Sequence, residues 1–355
     1  MVFASPAHSL ERLASRVTGA FAGATVLGAT TSGELTERGD TKGGAAAVAV
    51  AGALEVVAGI GTGLGDDPEA AVKAALEALP ESRGGLPHQT GLLLLDPLAG
   101  TGEEAALLTA GRLGPDVPLA GGAAGDDLAM ERAAVSLGDR VESDAIVIAR
   151  MFSREPLGLG VCHGHEPISA PLEITATEGA KVLEVEGRPA WEVWREHTRE
   201  AAVRAGLDPD ALAPEDVTPF LLRYEAGLAS GDEYKIRAPL SRGEDGSLAF
   251  ACPIPTGAKI RITESVPERQ IASARTAARR ARERLGGEAS GAIVFDCICR
   301  NLILGDRFAE AVAAVAGELG DVPLAGFETY GEIALDAGDL SGFHNTTTVV
   351  LAFPK

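Results

Sequence analysis

The densest group of reactive side chains in this chain is Cys297-Ile298-Cys299-Arg300. A cysteine acts as a nucleophile only when a nearby base can take its proton, and His344 is the histidine whose surroundings suit that part. Arg300 carries the planar fork that grips a carboxylate through two hydrogen bonds. Carboxylates stand in three glycine-rich segments, at Glu34, Asp126 and Glu332. Loop carboxylates would hold an ammonium group, so together with Arg300 they suit a zwitterion such as an amino acid. A nucleophile, a base and an orienting group are not all present, which favours binding over turnover. An enzyme that uses a cysteine or a carboxylate on a small metabolite stays open as the alternative. His163-Gly164-His165 lacks the accompanying ligands of a metal site and reads as a loop pair. Gly61-Thr62-Gly63-Leu64-Gly65 misses the last spacing of the dinucleotide fingerprint. No metal and no cofactor is expected.

The elements that must position these residues repeat three times. Gly28-Ala29-Thr30-Thr31-Ser32-Gly33-Glu34, Gly121-Gly122-Ala123-Ala124-Gly125-Asp126 and Gly326-Phe327-Glu328-Thr329-Tyr330-Gly331-Glu332 each follow a short apolar strand. Upstream of each lies another apolar strand (residues 2–6, 92–97 and 293–297), then a segment of helical length (9–20, 102–113 and 306–319). Downstream follows one more β-rich run (45–51, 145–150 and 346–353). The fold class is therefore α/β, with repeated strand–helix–strand units forming mixed sheets covered by helices. In such sheets ligands bind beyond the carboxyl ends of the strands, where these glycine loops lie.

The second and third units extend upstream. Residues 54–60 read as a strand leading into a helix capped by Asp66 or Asp67 with Pro68 near its first turn. Residues 258–263 read as the counterpart strand, with Ser265 as the cap of a helix ending at Gly286-Gly287. The first unit lacks this extension, so the chain is expected to be missing its first strand and helix. Between residues 151 and 258 short alternating strands and a Trp-bearing helix (189–205) form a β-rich inserted module. A domain boundary is placed at 213/214, giving domains of 1–213 and 214–355.

The composition limits the partners. The 355 residues carry 51 acidic and 31 basic side chains, a formal net charge of −20. That surface repels phosphate backbones and anionic lipid, so neither nucleic acid nor membrane is expected as a partner. Five arginines between Arg275 and Arg284 form a basic face read as solvated or internally paired. No signal peptide or spanning segment is recognised, and four cysteines without metal or CxxC spacing indicate a reducing, cytoplasmic setting.

Three of these motifs carry a family resemblance. The segment from Gly28 to Glu34 resembles the signature of the FIST N-terminal domain, with Ala29 in place of a Cys. Gly326 to Glu332, followed by Phe343-His344-Asn345-Thr346-Thr347-Thr348, resembles the hallmark of the FIST C-terminal domain. Phe295-Asp296-Cys297-Ile298-Cys299-Arg300 is similar to that domain's Phe-Ser-Cys-x-x-Arg stretch, with Asp296 in place of the Ser. The resemblance implies a sensory protein of intracellular signal transduction that binds an amino acid or related small polar metabolite. A separate signalling protein would take the output, since no effector segment is recognised. A haem-binding gas sensor is the further alternative, although Cys-x-x-Cys-His is absent. The binding site is expected at Cys297, Arg300, Thr329, Tyr330, Gly331, Glu332, His344 and Asn345, with Ser32 and Glu34 contributing.

Overall fold

The computed structural model describes residues 1–231, 233–336 and 342–355. Three units share one order of elements. In the first, Val2–Ala4 runs parallel to Leu27–Thr30 across the helix Leu10–Ala20, and Ala45–Ala47 returns antiparallel beside Val2–Ala4. In the second, His88–Leu95, the helix Gly102–Leu113, Leu119–Ala123 and Ala145–Ser153 repeat that arrangement. Ala289–Cys297, Phe308–Leu319, Leu324–Thr329 and Thr347–Pro354 do so in the third.

Each unit also makes a hairpin that it gives away. Glu34–Thr36 and Gly39–Thr41 of the first unit extend the third unit's sheet by pairing with Leu324–Thr329. Val135–Leu137 and Arg140–Glu142 of the second pair onto Leu27–Thr30 of the first. Glu332–Leu335 and Phe343–His344 of the third pair onto Leu119–Ala123 of the second. The exchange closes into a ring of three sheets around one apolar core. Phe3, Leu94, Val147, Phe295, Phe327 and Val349 meet there from all three sheets, with Phe3 and Phe327 at 4.8 Å between ring centroids. Helices cover the outer faces: Ala71 and Ala105 pack against Leu93 and Ile148 on one sheet, and Ala278 and Phe308 against Val294 and Val350 on another.

The upstream extensions require one correction. Leu54–Thr62 pairs with Ala145–Ser153 as an outer strand, and its helix Pro68–Leu76 is capped by Asp67, which accepts from the Ala70 amide. The counterpart in the third unit is Gly158–His163, paired with Thr347–Pro354. It is not the segment 258–263, which belongs to the strand Lys259–Ser265 of the inserted module. The module thus enters between an outer strand and its own helix, Pro267–Leu285. Val266 rather than Ser265 precedes that helix as its cap, and Ser265 instead accepts from Gln270. The module has its own core, in which Trp191, Trp194, Phe220, Tyr224, Phe250 and Ile260 are buried. Two of the five arginines cover the exposed edge of the outer strand: Arg280 donates to Val161 O at 2.7 Å and Arg284 to Leu159 O at 2.6 Å. Unpaired edge carbonyls are thereby satisfied.

A shared Gly-x-Gly pattern marks the two outer strands. A Cβ built on Gly158 or Gly160 would lie 2.0 Å from the carbonyl oxygen of Ala281 or Ala277, and one on Gly59 or Gly61 2.0 Å from that of Ala75 or Ala71. Strand and helix touch backbone to backbone at both places. Gly160→Ala is expected to force them apart and cost about 1–3 kcal/mol, read as a lower midpoint in chemical denaturation. An unchanged midpoint would contradict this packing.

Candidate functional site

The three glycine loops are the crossings by which the chain leaves one sheet for the next. Their acids face inward and are consumed there. Glu34 accepts from Thr31 Oγ1 at 2.5 Å through one oxygen, and from the Gly44 amide (2.9 Å) and Thr41 Oγ1 (3.3 Å) through the other. Glu332 repeats the pattern, with Thr329 Oγ1 at 2.5 Å on one oxygen and the Thr347 amide (3.1 Å) and Oγ1 (2.9 Å) on the other. Asp126 collects the amides of Met130, Glu131 and Arg132 at 2.6–2.9 Å. Each carboxylate ties its crossing to the chain that follows.

Arg300 was expected to grip a ligand carboxylate, and it grips one of the protein's own. It stands on the short helix Ile298–Leu304, fully buried, and donates to Asp296 Oδ1 (2.8 Å), Ser273 Oγ (3.0 Å), Gln270 O (2.9 Å) and Gln270 Oε1. Thr348 Oγ1 donates to the other Asp296 oxygen at 2.7 Å. Cys297 and Cys299 lie in an apolar cluster with Leu222, Ala238 and Ile298, and burial pushes the Cys297 thiol well up, away from the reactive thiolate. His344 sets Nε2 at 2.9 Å from Ala334 O, and burial lowers its pKa to about 4, so the ring is neutral. Ser32 is buried against Gly125, and Gly331 against the Phe343 ring. Ser32 meets the third crossing through its amide, which donates to Glu328 O at 3.1 Å, whereas the Glu34 carboxylate is taken up within its own unit.

One of the expected residues, Tyr330, lines an actual opening, and two more stand behind its wall. A cavity of about 400 Å³ is walled by Thr101, Gly102, Glu103, Cys252, Tyr330 and Phe343 among others. It lies past the carboxyl end of His88–Leu95, at the start of the helix Gly102–Leu113, under the module's residues 251–253. Tyr330 lines it directly. Asn345 stands behind, its Nδ2 3.7 Å from Cys252 Sγ and its Oδ1 accepting from the Ala238 amide at 3.4 Å. Gly331 sits behind the Phe343 ring that forms part of the wall. Thr101 turns its hydroxyl to Leu64 O at 2.9 Å and makes no side-chain cap, so the positive end of this helix borders the cavity.

Charged groups stand beside the cavity that no sequence motif marks. Lys235 and Arg237, on one face of the strand Glu233–Arg237, both donate to Glu103 Oε1 at 2.6 Å. Arg237 also reaches Phe343 O at 3.3 Å. Burial, and then the neighbouring guanidinium, lower the Lys235 pKa to about 8. The available signal was the alternation Lys235-Ile236-Arg237, which puts two cations on one face of a strand in a strongly acidic chain.

A family model of the FIST N domain matches residues 1–188, and one of the FIST C domain matches residues 190–335. The chain belongs to the FIST family. FIST domains are associated with sensory signal transduction. Thr101, Gly102 and Glu103 of the cavity wall lie in the FIST N part, and Cys252 and Tyr330 in the FIST C part, as do Lys235 and Arg237, which reach the wall through Glu103. An uncharacterized protein of Mycobacterium bovis and one of Mycobacterium tuberculosis are each 28% identical over 197 residues, covering 54% of this chain and 49% of the relative. The FIST chain thus matches about half the length of these curated relatives. No helix among its described residues is long and apolar enough to cross a membrane, and none of its described His, Cys, Asp and Glu residues form a group that could hold a metal ion.

Two consequences are measurable. Arg300→Ala leaves Asp296 buried without its cation and is expected to cost about 3–5 kcal/mol in denaturant unfolding. A loss below 1 kcal/mol, on the same scale, would show that water reaches the site. Glu332 behaves differently, because burial raises its pKa from 4.5 to about 8. Its contribution to stability is full below pH 4.5 and is lost as pH rises through about 8. Glu332→Gln cannot ionise and so carries no proton linkage over this range. The variant's thermal midpoint should therefore fall less than that of wild type between those limits; parallel curves would refute the neutral acid.

Proposed function

We propose that this FIST protein binds a small zwitterionic metabolite, an α-amino acid or a close relative, in the cavity between its two domains. One observation carries the reading. Two carboxylates, Glu103 and Glu104, two cations and an uncapped helix start converge on an opening of ligand size. The ligand carboxylate would lie at the first amides of Gly102–Leu113 beside Lys235 and Arg237. Its ammonium would lie at the carboxylates of Glu103 and Glu104. Tyr330, Phe343 and Cys252 would enclose the side chain.

The expected site residues take graded parts in this proposal. Tyr330 touches the ligand, and Asn345 and Gly331 hold the wall. Thr329, Glu332, Cys297, Arg300 and His344 keep the crossing rigid behind it, while Ser32 and Glu34 do the same for the first unit's crossing. Occupancy would be passed to a separate signalling protein. Four free cysteines, three of them buried, support a reducing, cytoplasmic setting.

Charge-assisted hydrogen bonds of this kind are worth about 1.5–3 kcal/mol each. Glu103→Gln and Lys235→Met are therefore expected to weaken binding about tenfold or more, in calorimetric titration against the common α-amino acids. Glu288→Gln, at an exposed side chain that pairs with Lys355 and does not line the cavity, serves as the control. Unchanged affinity in both cavity variants would move the site elsewhere, and no binding by wild type would remove the amino-acid assignment.

A further inference from the structure

Tyr330 has two surroundings at once. Its ring lines the cavity, while its hydroxyl donates to Asp126 Oδ1 at 2.5 Å and accepts from the Leu128 amide at 2.7 Å. These two bonds reach the loop from Asp126 to Arg132, which leaves the second unit's crossing. That loop is strained. Asp127, Leu128 and Met130 all have φ between +55° and +67°, the left-handed region that residues with side chains seldom occupy. Asp126 holds it from within by the amides of Met130, Glu131 and Arg132, and Ser5 Oγ donates to Asp127 at 2.7 Å. What the strain achieves is visible at the tip. Leu128 is 46% and Met130 56% exposed, two of the few large apolar side chains left on the surface.

A strained loop presenting apolar side chains persists only while something holds it. We infer that Tyr330 is a positioning residue that couples occupancy of the cavity to this loop. The inference rests on the binding reading above and gives it an output. The cavity has its shape only with the ring where it stands, so a ligand that packs on the ring favours the same arrangement in which the hydroxyl grips Asp126 and Leu128. Binding then shifts the population toward the held loop, by as much as the ligand prefers that state. Leu128 and Met130 become a surface whose order reports the ligand.

Amide hydrogen exchange on the full chain tests this, because exchange reads local opening without requiring a known partner. Tyr330→Phe keeps the ring and removes only the hydroxyl. It is expected to speed exchange at Leu128, Met130, Glu131 and Arg132 about tenfold, and to leave Leu119–Ala123 as protected as in wild type. Equal exchange in the loop of both proteins overturns the inference whatever the ligand. A saturating mixture of the common α-amino acids should then slow loop exchange in wild type and not in Tyr330→Phe. If calorimetry registers binding of the mixture while wild-type loop exchange stays unchanged, the coupling is refuted and the binding reading survives. If calorimetry registers no binding, the binding reading fails and the ligand-driven step falls with it.

Discussion

The hairpin exchange among the three sheets is the constraint on which this molecule rests. The strands Leu27–Thr30, Leu119–Ala123 and Leu324–Thr329 each have one edge satisfied by their own unit and one edge satisfied by the hairpin of another. A buried strand cannot leave a row of backbone groups unpaired. No unit is therefore complete alone, and closing the ring buries the crossing loops at its centre. That burial explains the chemistry of the three acids. A carboxylate brought in with the chain must find donors there, and Thr31 and Thr329, each three residues before a glutamate, supply them.

The same burial sets the character of the polar interior. Glu332 and Glu328 both have pKa values raised to about 8, chiefly by loss of water. Asp296 is raised in the same direction, although Arg300 opposes the shift. Asn301 links Glu328 to Lys42 at 3.0 and 3.1 Å, tying the third unit's short helix to the first unit's hairpin. Buried polar groups of this kind add little net stability and are costly to leave half-satisfied.

Much of the fold was legible in the sequence because repetition can be read without knowing the structure. Three matching strand–helix–glycine-loop units, the helix start at Asp67 and Pro68, and the Trp-bearing helix all follow from local pattern. The exchange of hairpins was not legible, because nothing in Glu34–Thr36 or Val135–Leu137 states which edge it will meet. The third unit's outer strand is hard to place from sequence for a related reason. Nearness in sequence favoured residues 258–263, whereas the inserted module had moved the true counterpart to Gly158–His163. Gly158-Leu159-Gly160 matches Gly59-Ile60-Gly61 and could have found it. Of the residues at the proposed cavity, Tyr330 and, behind its wall, Asn345 belong to a motif legible in the sequence. Glu103, Lys235 and Arg237 were not legible, since they come together only when the module folds back over the second unit.

How the module comes to lie there follows from the exchange itself. It is attached to the third unit, yet the cavity it roofs belongs to the second. The link is the hairpin that the third unit gives to the second sheet, ending at Phe343–His344. Module residues hold that segment at successive positions: Arg237 on Phe343 O, the Ala238 amide on Asn345, and Glu225 accepting from Thr346 Oγ1 at 2.8 Å. Thr346 is itself held at φ +55°, a conformation that a β-branched residue adopts only under outside restraint. The module is thus docked on an exchanged hairpin, and the hairpin is docked on the second unit. A molecule seated among Glu103, Cys252 and Tyr330 would touch all three bodies at their common seam.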